Sequence, residues 1–261
     1  MSKIKIKIII LGHLPHSIDF KKISKWRSEL FEVVRQIATY SITDNSDGYG
    51  WEFSDSSIEA QLPKRQEEDI LLAVTNVPLQ DNYFARRSTD NRVCLTYNSM
   101  TEILLYHNIP LENLVLRVLY SVAFVYRRYG DRLPLITEHT NFTHDETRGC
   151  IFDMNGIKTD LIYSLDKPRL CHSCVETLAS NRMHRIERSL IDKVQQELQK
   201  IKKGLYYQIS DFIKRKPVLA IVISSILAVI LGIIGSLIAS AIWQSWTSTG
   251  HNMVLPKAGF T

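Results

Sequence analysis

Hydrophobic and polar positions near the start of the chain alternate with a period of two. Ile4, Ile6 and Ile8 are separated by Lys5 and Lys7, and the run then becomes continuously apolar to Leu11. That is the pattern of a strand whose inner end is buried in a sheet. From Asp19 to Thr39 the period changes: Ile23, Trp26, Leu30, Phe31, Val34 and Ile37 fall at helical spacing, with Ser17 and Asp19 as cap candidates. The polar stretch TDNSDGYG reads as a loop, and WEFSDSSIEAQLP as a short edge strand ended by Pro63. DILLAVTNVPL and RVCLTYNS read as two further strands joined by the polar QDNYFARRSTDN. Two helices follow, Met100 to about Tyr106 and Leu111 to about Tyr129, with Leu111, Leu114, Val118, Val122 and Val125 as the apolar stripe of the second. Strand then helix then strands gives an α/β fold, with α+β as the alternative.

After Gly130 periodicity fades until Cys174, and an irregular stretch of that length in a compact domain calls for a clip such as a metal. From Val175 to about Phe212 one long amphipathic helix is predicted, with a seam of Ile186, Leu190, Val194, Leu198, Ile201, Leu205, Ile209 and Phe212 that needs a partner helix or the domain itself. Val218 to Trp243 contains no charged residue. At about 1.5 Å per residue it exceeds the roughly 30 Å of a bilayer core. Lys214, Arg215 and Lys216 flank one end and Trp243 and Trp246 the other, so a transmembrane helix is expected, with the N-terminal part cytoplasmic. Ala220, Ser224, Ala228, Gly232, Ser236 and Ser240 recur every fourth residue, a small face suited to helix association in lipid.

Composition changes this picture little. The 261 residues are 45% hydrophobic and carry a formal charge of +5, which would hint at nucleic acid, but most of the excess lies beside the apolar segment, and no nucleic-acid partner is expected. Four cysteines are too few and too unevenly spread for a disulfide framework, and the apolar run at the start is too short for a signal sequence. A reducing compartment follows.

The candidate chemistry is concentrated in two short stretches, HDETRGCIFD from His144 and CHSC from Cys171. Cys171 and Cys174 have the spacing that brings two thiolates to one ion, and Cys150 and His144 lie upstream in a loop of suitable length. Thiolate and imidazole are the ligands tetrahedral Zn²⁺ prefers. The expected site is His144, Cys150, Cys171 and Cys174, with His139, His172 and Asp145 as substitutes for the fourth place. Four protein ligands make a closed, structural site with no water to activate. Asp145, Glu146 and Arg148 are then expected to fix the loop, an Arg–acid pair holding its shape. Neither a Gly-rich phosphate loop, nor GxSxG, nor HExxH is present. His13 and His16 follow the first strand, where α/β folds place ligands. YFARR and VYRRYG mix aromatics with arginine and could meet phosphate or nucleotide, with solvated charge the simpler reading. NFT at Asn141 matches a glycosylation sequon but falls on the expected cytoplasmic side.

GCIFDMNGIKTDLIYSLDKPRLCHSC resembles the closing structural-zinc segment of the archaemetzincin family of small zinc peptidases, and the order of signals over residues 1–178 is similar to that family's. The resemblance implies a small metzincin-like mixed sheet with a zinc-clipped loop region. It also implies a catalytic HExxHxxGxxH on the helix that here reads ENLVLRVLYSVAFVYRRYG, and no His occurs between His107 and His139. A metzincin zinc needs two His one turn apart with a Glu as general base, so no catalytic residue carries over. An upstream cysteine of the family is missing too, and His144 sits near its place. The organisation expected is a domain at 1–178, an amphipathic linker helix at 179–216, a transmembrane helix at 217–244 and a short extracytoplasmic tail at 245–261. The corresponding function is that of a single-pass cell-membrane protein: an inactive sensing domain for an unknown cytoplasmic ligand, joined to a homo-oligomerising span. Such a design suits a membrane effector in defence or stress. The rivals are a membrane-anchored metal-dependent hydrolase using Glu138, His139, His144 and Asp145, and a passive membrane scaffold.

Overall fold

Strand β1 (Ile4–Leu11) is the spine of the sheet, with Ile4, Ile6 and Ile8 completely buried while Lys5 faces solvent. The computed structural model describes residues 2–140, 142, 144, 148–153, 157–180 and 183–250, with the backbone alone at 245–250. Asn141, Asp145, Glu146 and the tail from 251 lie outside the described residues. The strands β2 (Phe31–Val33), β3 (Ala38–Tyr40), β4 (Ile70–Thr75), β5 (Ala85–Ser88) and β6 (Arg92–Thr96) complete a six-stranded mixed sheet of order β2-β1-β4-β6-β5, β3 also pairing β1. Every pairing is parallel except β5 with β6. All six residues of β4 are buried, as a central parallel strand covered on both faces requires. The fold is mixed α/β.

Three local expectations are corrected. The helix expected from Asp19 to Thr39 is only one turn and a half, α1 (Phe20–Ser24), capped by Asp19 Oδ1 accepting from Lys22 N at 2.9 Å. The remainder forms β2 and β3, which pair in succession along the same strand, Ile4 opposite Phe31 and Ile9 opposite Ala38. Phe31 and Val33 are buried around an exposed Glu32, so the apolar spacing that suits a helix also suits a strand, and the open edge of β1 decides between them. The expected edge strand before Pro63 is helix α2 (Asp55–Gln61). Ser54 Oγ caps it by accepting from Ser57 N at 3.1 Å, and Ile58 and Leu62, four apart, turn onto the sheet. The polar connection before β6 contains β5, and the three residues between Ser88 and its partner Arg92 close the hairpin, with Asp90 and Asn91 in the left-handed region at φ of 54° and 52°.

The sheet is covered on both sides. Ile9, Leu11, Leu71, Ala73 and Cys94 pack with Ile58, Leu62 and Leu79. Opposite them lies the larger core, built on Ile4, Ile6, Ile8, Leu72 and Leu95 against α4 (Glu112–Arg128), which follows α3 (Met100–Tyr106). From Asn113 to Arg128 every residue of α4 except Ser121 is buried. The helix ends at Gly130, φ 72°, whose neighbour Asp131 N donates back to Tyr126 O at 3.0 Å; a Cβ there would meet His184 at 2.5 Å.

The long helix expected from Val175 to Phe212 is three helices: α5 (His172–Ala179), α6 (Arg188–Leu198) and α7 (Leu205–Arg215). Their seam divides between two units, the first ending at Gly204 and the second beginning at Leu205. Ile186, Ile191, Val194, Leu198 and Ile201 join the core of the first. Glu197 is drawn in with them, its carboxylate accepting from Glu29 N at 2.8 Å and Tyr120 Oη at 2.7 Å, while Tyr120 Oη accepts from Trp26 Nε1 at 2.8 Å. The second unit comprises α7 and α8 (Pro217–Gly250), and Pro217–Gln244 is long and apolar enough to cross a membrane. Ile221, Leu227, Leu231 and Leu237 on it are exposed, as a helix solvated by lipid requires.

The five α6-region aliphatics are each worth roughly 1.5–3 kcal/mol when buried. Their sum rivals the ~5–15 kcal/mol of an entire domain. A fragment ending at Gly204 is therefore expected to melt cooperatively, followed by circular dichroism, whereas one ending at Ser180 is expected to show no cooperative transition.

Candidate metal centre and the adjoining cleft

His144, Cys150, Cys171 and Cys174 each offer one ligand atom, and the four atoms lie within 4.8 Å of one another. Sequence distance is bridged by backbone pairing. Cys150 and Arg169 form a parallel bridge, with Ile151 N donating to Arg169 O and Arg169 N to Gly149 O, both at 2.9 Å. Cys171 is the N-cap of α5, so the first turn of that helix returns Cys174 to the same point. An ion about 2.3 Å from each of two sulfurs at the tetrahedral angle holds them about 3.8 Å apart. Cys150 Sγ and Cys174 Sγ are 3.8 Å apart. His144 Nε2 lies 3.2 Å from Cys174 Sγ and 3.4 Å from Cys171 Sγ. Backbone amides point at the sulfurs: Cys171 N donates to Cys150 Sγ at 3.5 Å and Cys174 N to Cys171 Sγ at 3.4 Å. These donors offset negative charge on thiolates. The group could hold a metal ion, and a structural Zn²⁺ fits its donor set, its spacing and its burial.

The electrostatics point the same way. The Cys174 thiol beside it holds Cys150 down to about 5, and the negative charge gathered on Cys150 pushes Cys174 far up. Thiolates this close repel, so all of them ionise together only around a cation. Cys94, the remaining cysteine, is a core residue whose thiol burial pushes up to about 12.

Asp153 stands behind the ligands, whereas Asp145 and Glu146, expected to fix the loop, lie outside the described residues. Its Oδ2 accepts from Cys150 N at 2.9 Å and its Oδ1 lies 3.3 Å from His144 Nδ1. A carboxylate on the far nitrogen fixes the ring and its tautomer, leaving Nε2 to face the sulfurs. Burial raises the Asp153 carboxyl from its ordinary range. Arg148 lies over the Tyr163 ring at 4.6 Å. His172 is 87% exposed on α5 near Glu176, outside the cluster, and His139 lines a cleft instead. His13 and His16 are exposed after β1 and join no metal-ligand group among the described residues.

That cleft, about 810 Å³, opens between β5, α4 and the segment after Gly130. Arg117, Val118, Ser121, Val122 and Val125 face it from α4, and Glu138, His139, Phe142 and Asp153 from the opposite wall. Glu138 is occupied by Arg132, which donates from Nη1 at 3.0 Å and Nη2 at 2.8 Å and holds its carboxyl near 2. YFARR, read as an ambiguous basic stretch, supplies the cleft's β5 side from Tyr83 to Arg87. Hairpin chemistry at Asp90 and Asn91 is the sequence signal that would have placed it on a strand.

No family model matches the chain, and no curated protein matches it. Among solved structures, the chain is similar to the crystal structure of archaemetzincin from Methanopyrus kandleri, at 13% sequence identity and a TM-score of 0.39, with 76% of this chain and 96% of that chain covered.

Proposed function

We propose that this chain is a single-pass membrane protein whose first unit, clipped by a structural Zn²⁺ on His144, Cys150, Cys171 and Cys174, binds a ligand rather than cleaving one. The observation that carries this reading is the cleft-facing side of α4, which presents Arg117, Val118, Ser121, Val122 and Val125 where a metzincin-type centre needs two histidines and a glutamate. Three of the four cysteines are gathered instead with His144 into one cluster, and four protein ligands around a tetrahedral ion leave no place for a reactive water. His144 is drawn to the cysteines, and both carboxylate oxygens of Glu138 are taken by Arg132, which weighs against a hydrolase built on these residues. Orientation with the first unit in the cytoplasm rests on Lys214, Arg215 and Lys216 at the start of the apolar helix. The span self-associates through its small face, and ligand binding acts on the membrane by preferring one assembly state. A membrane effector works in this way.

Zinc is the first test. The purified chain in detergent is expected to contain about one equivalent by elemental analysis, and Cys171→Ser to lose it together with cooperative melting, because metal binding here is folding free energy. A variant that keeps both would remove the site. Asp153→Asn keeps the shape and loses the charge behind His144, and is expected to weaken zinc in chelator competition by about 10–100-fold.

Peptide hydrolysis that is abolished by chelation and restored by zinc would overturn the non-catalytic reading. For the span, a Cβ added at Gly232 meets nothing within 4 Å, so the single helix accepts bulk there. Gly232→Ile is then expected to lower crosslinked oligomer in membranes, with Ile233→Leu unchanged; equal yields would make the helix a passive anchor.

A further inference from the structure

Arg87, Arg117 and Lys158 converge on the cleft, and their hydrogen bonds go to neutral oxygens. Arg87 Nη2 donates to the Glu138 carbonyl at 3.3 Å, Arg117 Nε to Ser164 Oγ at 2.7 Å, and Lys158 Nζ to the Asn98 carbonyl at 3.0 Å. Arg87 Nη1 is buried with no hydrogen-bond partner. Arg117 is 2% exposed, and Lys158 8%. Holding Arg117, Lys158 and the Nη1 end of Arg87 out of water on neutral oxygens is costly, since carbonyls and hydroxyls replace hydration only in part. Three carboxylates also line the cleft. Glu138 is held by Arg132, Asp153 by Cys150 N and His144, and Asp81 stands at the exposed rim beside Gln80. Arg86, the fourth basic residue, is paired with Asp55.

The rest of the lining is apolar and aromatic. Phe142 and Phe152 stack at 4.6 Å in the wall opposite α4, Phe84 lies under the Arg117 guanidinium at 5.3 Å, and Val118 and Val122 form the floor. A cleft of about 810 Å³ has the capacity of small-molecule sites, which span roughly 300–1,000 Å³. Three cations exceed what one carboxylate balances and suit a group of higher charge, and guanidinium forks match phosphate oxygens in pairs.

We propose that this cleft binds a phosphorylated ring compound of the nucleotide class, its phosphate held by Arg87, Arg117 and Lys158 and its ring laid against the apolar wall. The proposal deepens the ligand-binding reading above and rests on it. An extended peptide added to the free edge of β5 is the competing occupant.

The test uses the full chain in detergent with its zinc content measured in each sample, and titrates ATP, AMP, pyrophosphate and adenosine by calorimetry and melting temperature. ATP or AMP is expected to bind and raise the melting temperature, pyrophosphate to compete, and adenosine to bind at least about tenfold more weakly. Arg87→Gln removes a partly exposed side chain without emptying the core and is expected to weaken nucleotide by about tenfold or more at unchanged apo melting. Arg117→Lys keeps the charge and loses the fork, so it also weakens binding; Lys21→Gln on exposed α1 does not. Zinc-replete protein that binds none of the phosphates at millimolar concentration, nucleotide binding indifferent to both arginine variants, or binding of an uncharged extended peptide in their place would overturn the nucleotide site while leaving the zinc-clipped, non-catalytic unit intact.

Discussion

Three sulfurs and an imidazole nitrogen gathered within 4.8 Å have no stable ionised state of their own, because each thiolate formed raises the cost of the next. The segment between α4 and α5 depends on how that conflict is resolved. Among its described residues it contains a 3₁₀ stretch, Lys158–Ser164, but no strand of the sheet, and its order comes from the bridges His144 to Asp153 and Cys150 to Arg169. A divalent cation would turn the repulsion into a tie that closes the segment, and the amides of Cys171 and Cys174 already point their dipoles at the sulfurs.

The tie also sets the cleft. Phe142, Ile151, Phe152 and Asp153 are wall residues within two or three positions of His144 and Cys150, so the wall is located by the same groups that face the ion. Asp153 belongs to both: it lines the cleft and stands behind His144. The facing wall is rigid for another reason, being α4, buried along almost its whole length, with Arg117 anchored by Ser164. A wall that coordination would hold thus confronts a wall held by packing. This arrangement keeps a cleft open without the cleft's own contents supporting it.

What the sequence made legible were the elements whose pattern has one physical solution. β1, β4 and β6 are alternating or fully apolar runs, α3 and α4 carry helical stripes, and Pro217–Gln244 has no charge to place. Residues 25–40 were misread because β2 and β3 exist only where β1 offers an edge, and local spacing does not contain that information. α2 was different: Ser54 followed by Asp55 and then Ile58 and Leu62 was a capping signal in plain view. The four residues that come together at the candidate metal group were legible from spacing and ligand type, whereas Asp153 was not, since a carboxylate three residues after Cys150 comes to face His144 only when the bridge brings that residue alongside. The cleft was invisible for the same reason, its cations being drawn from β5, α4 and the 3₁₀ stretch.

The core's dependence on α6 has a consequence in time. Ile201 is the last residue of the main hydrophobic cluster, and the apolar helix begins at Pro217, sixteen positions later. At about 5–20 residues per second of synthesis, roughly one to three seconds separate completion of the core's sequence from the arrival of the apolar segment. The parallel pairing of Ile6 with Ile70 and the late contribution of Ile191 to Ile201 make the first unit a slow, non-local folder. Its folding therefore overlaps the synthesis of the apolar segment, and the nascent chain must be kept from aggregating through both.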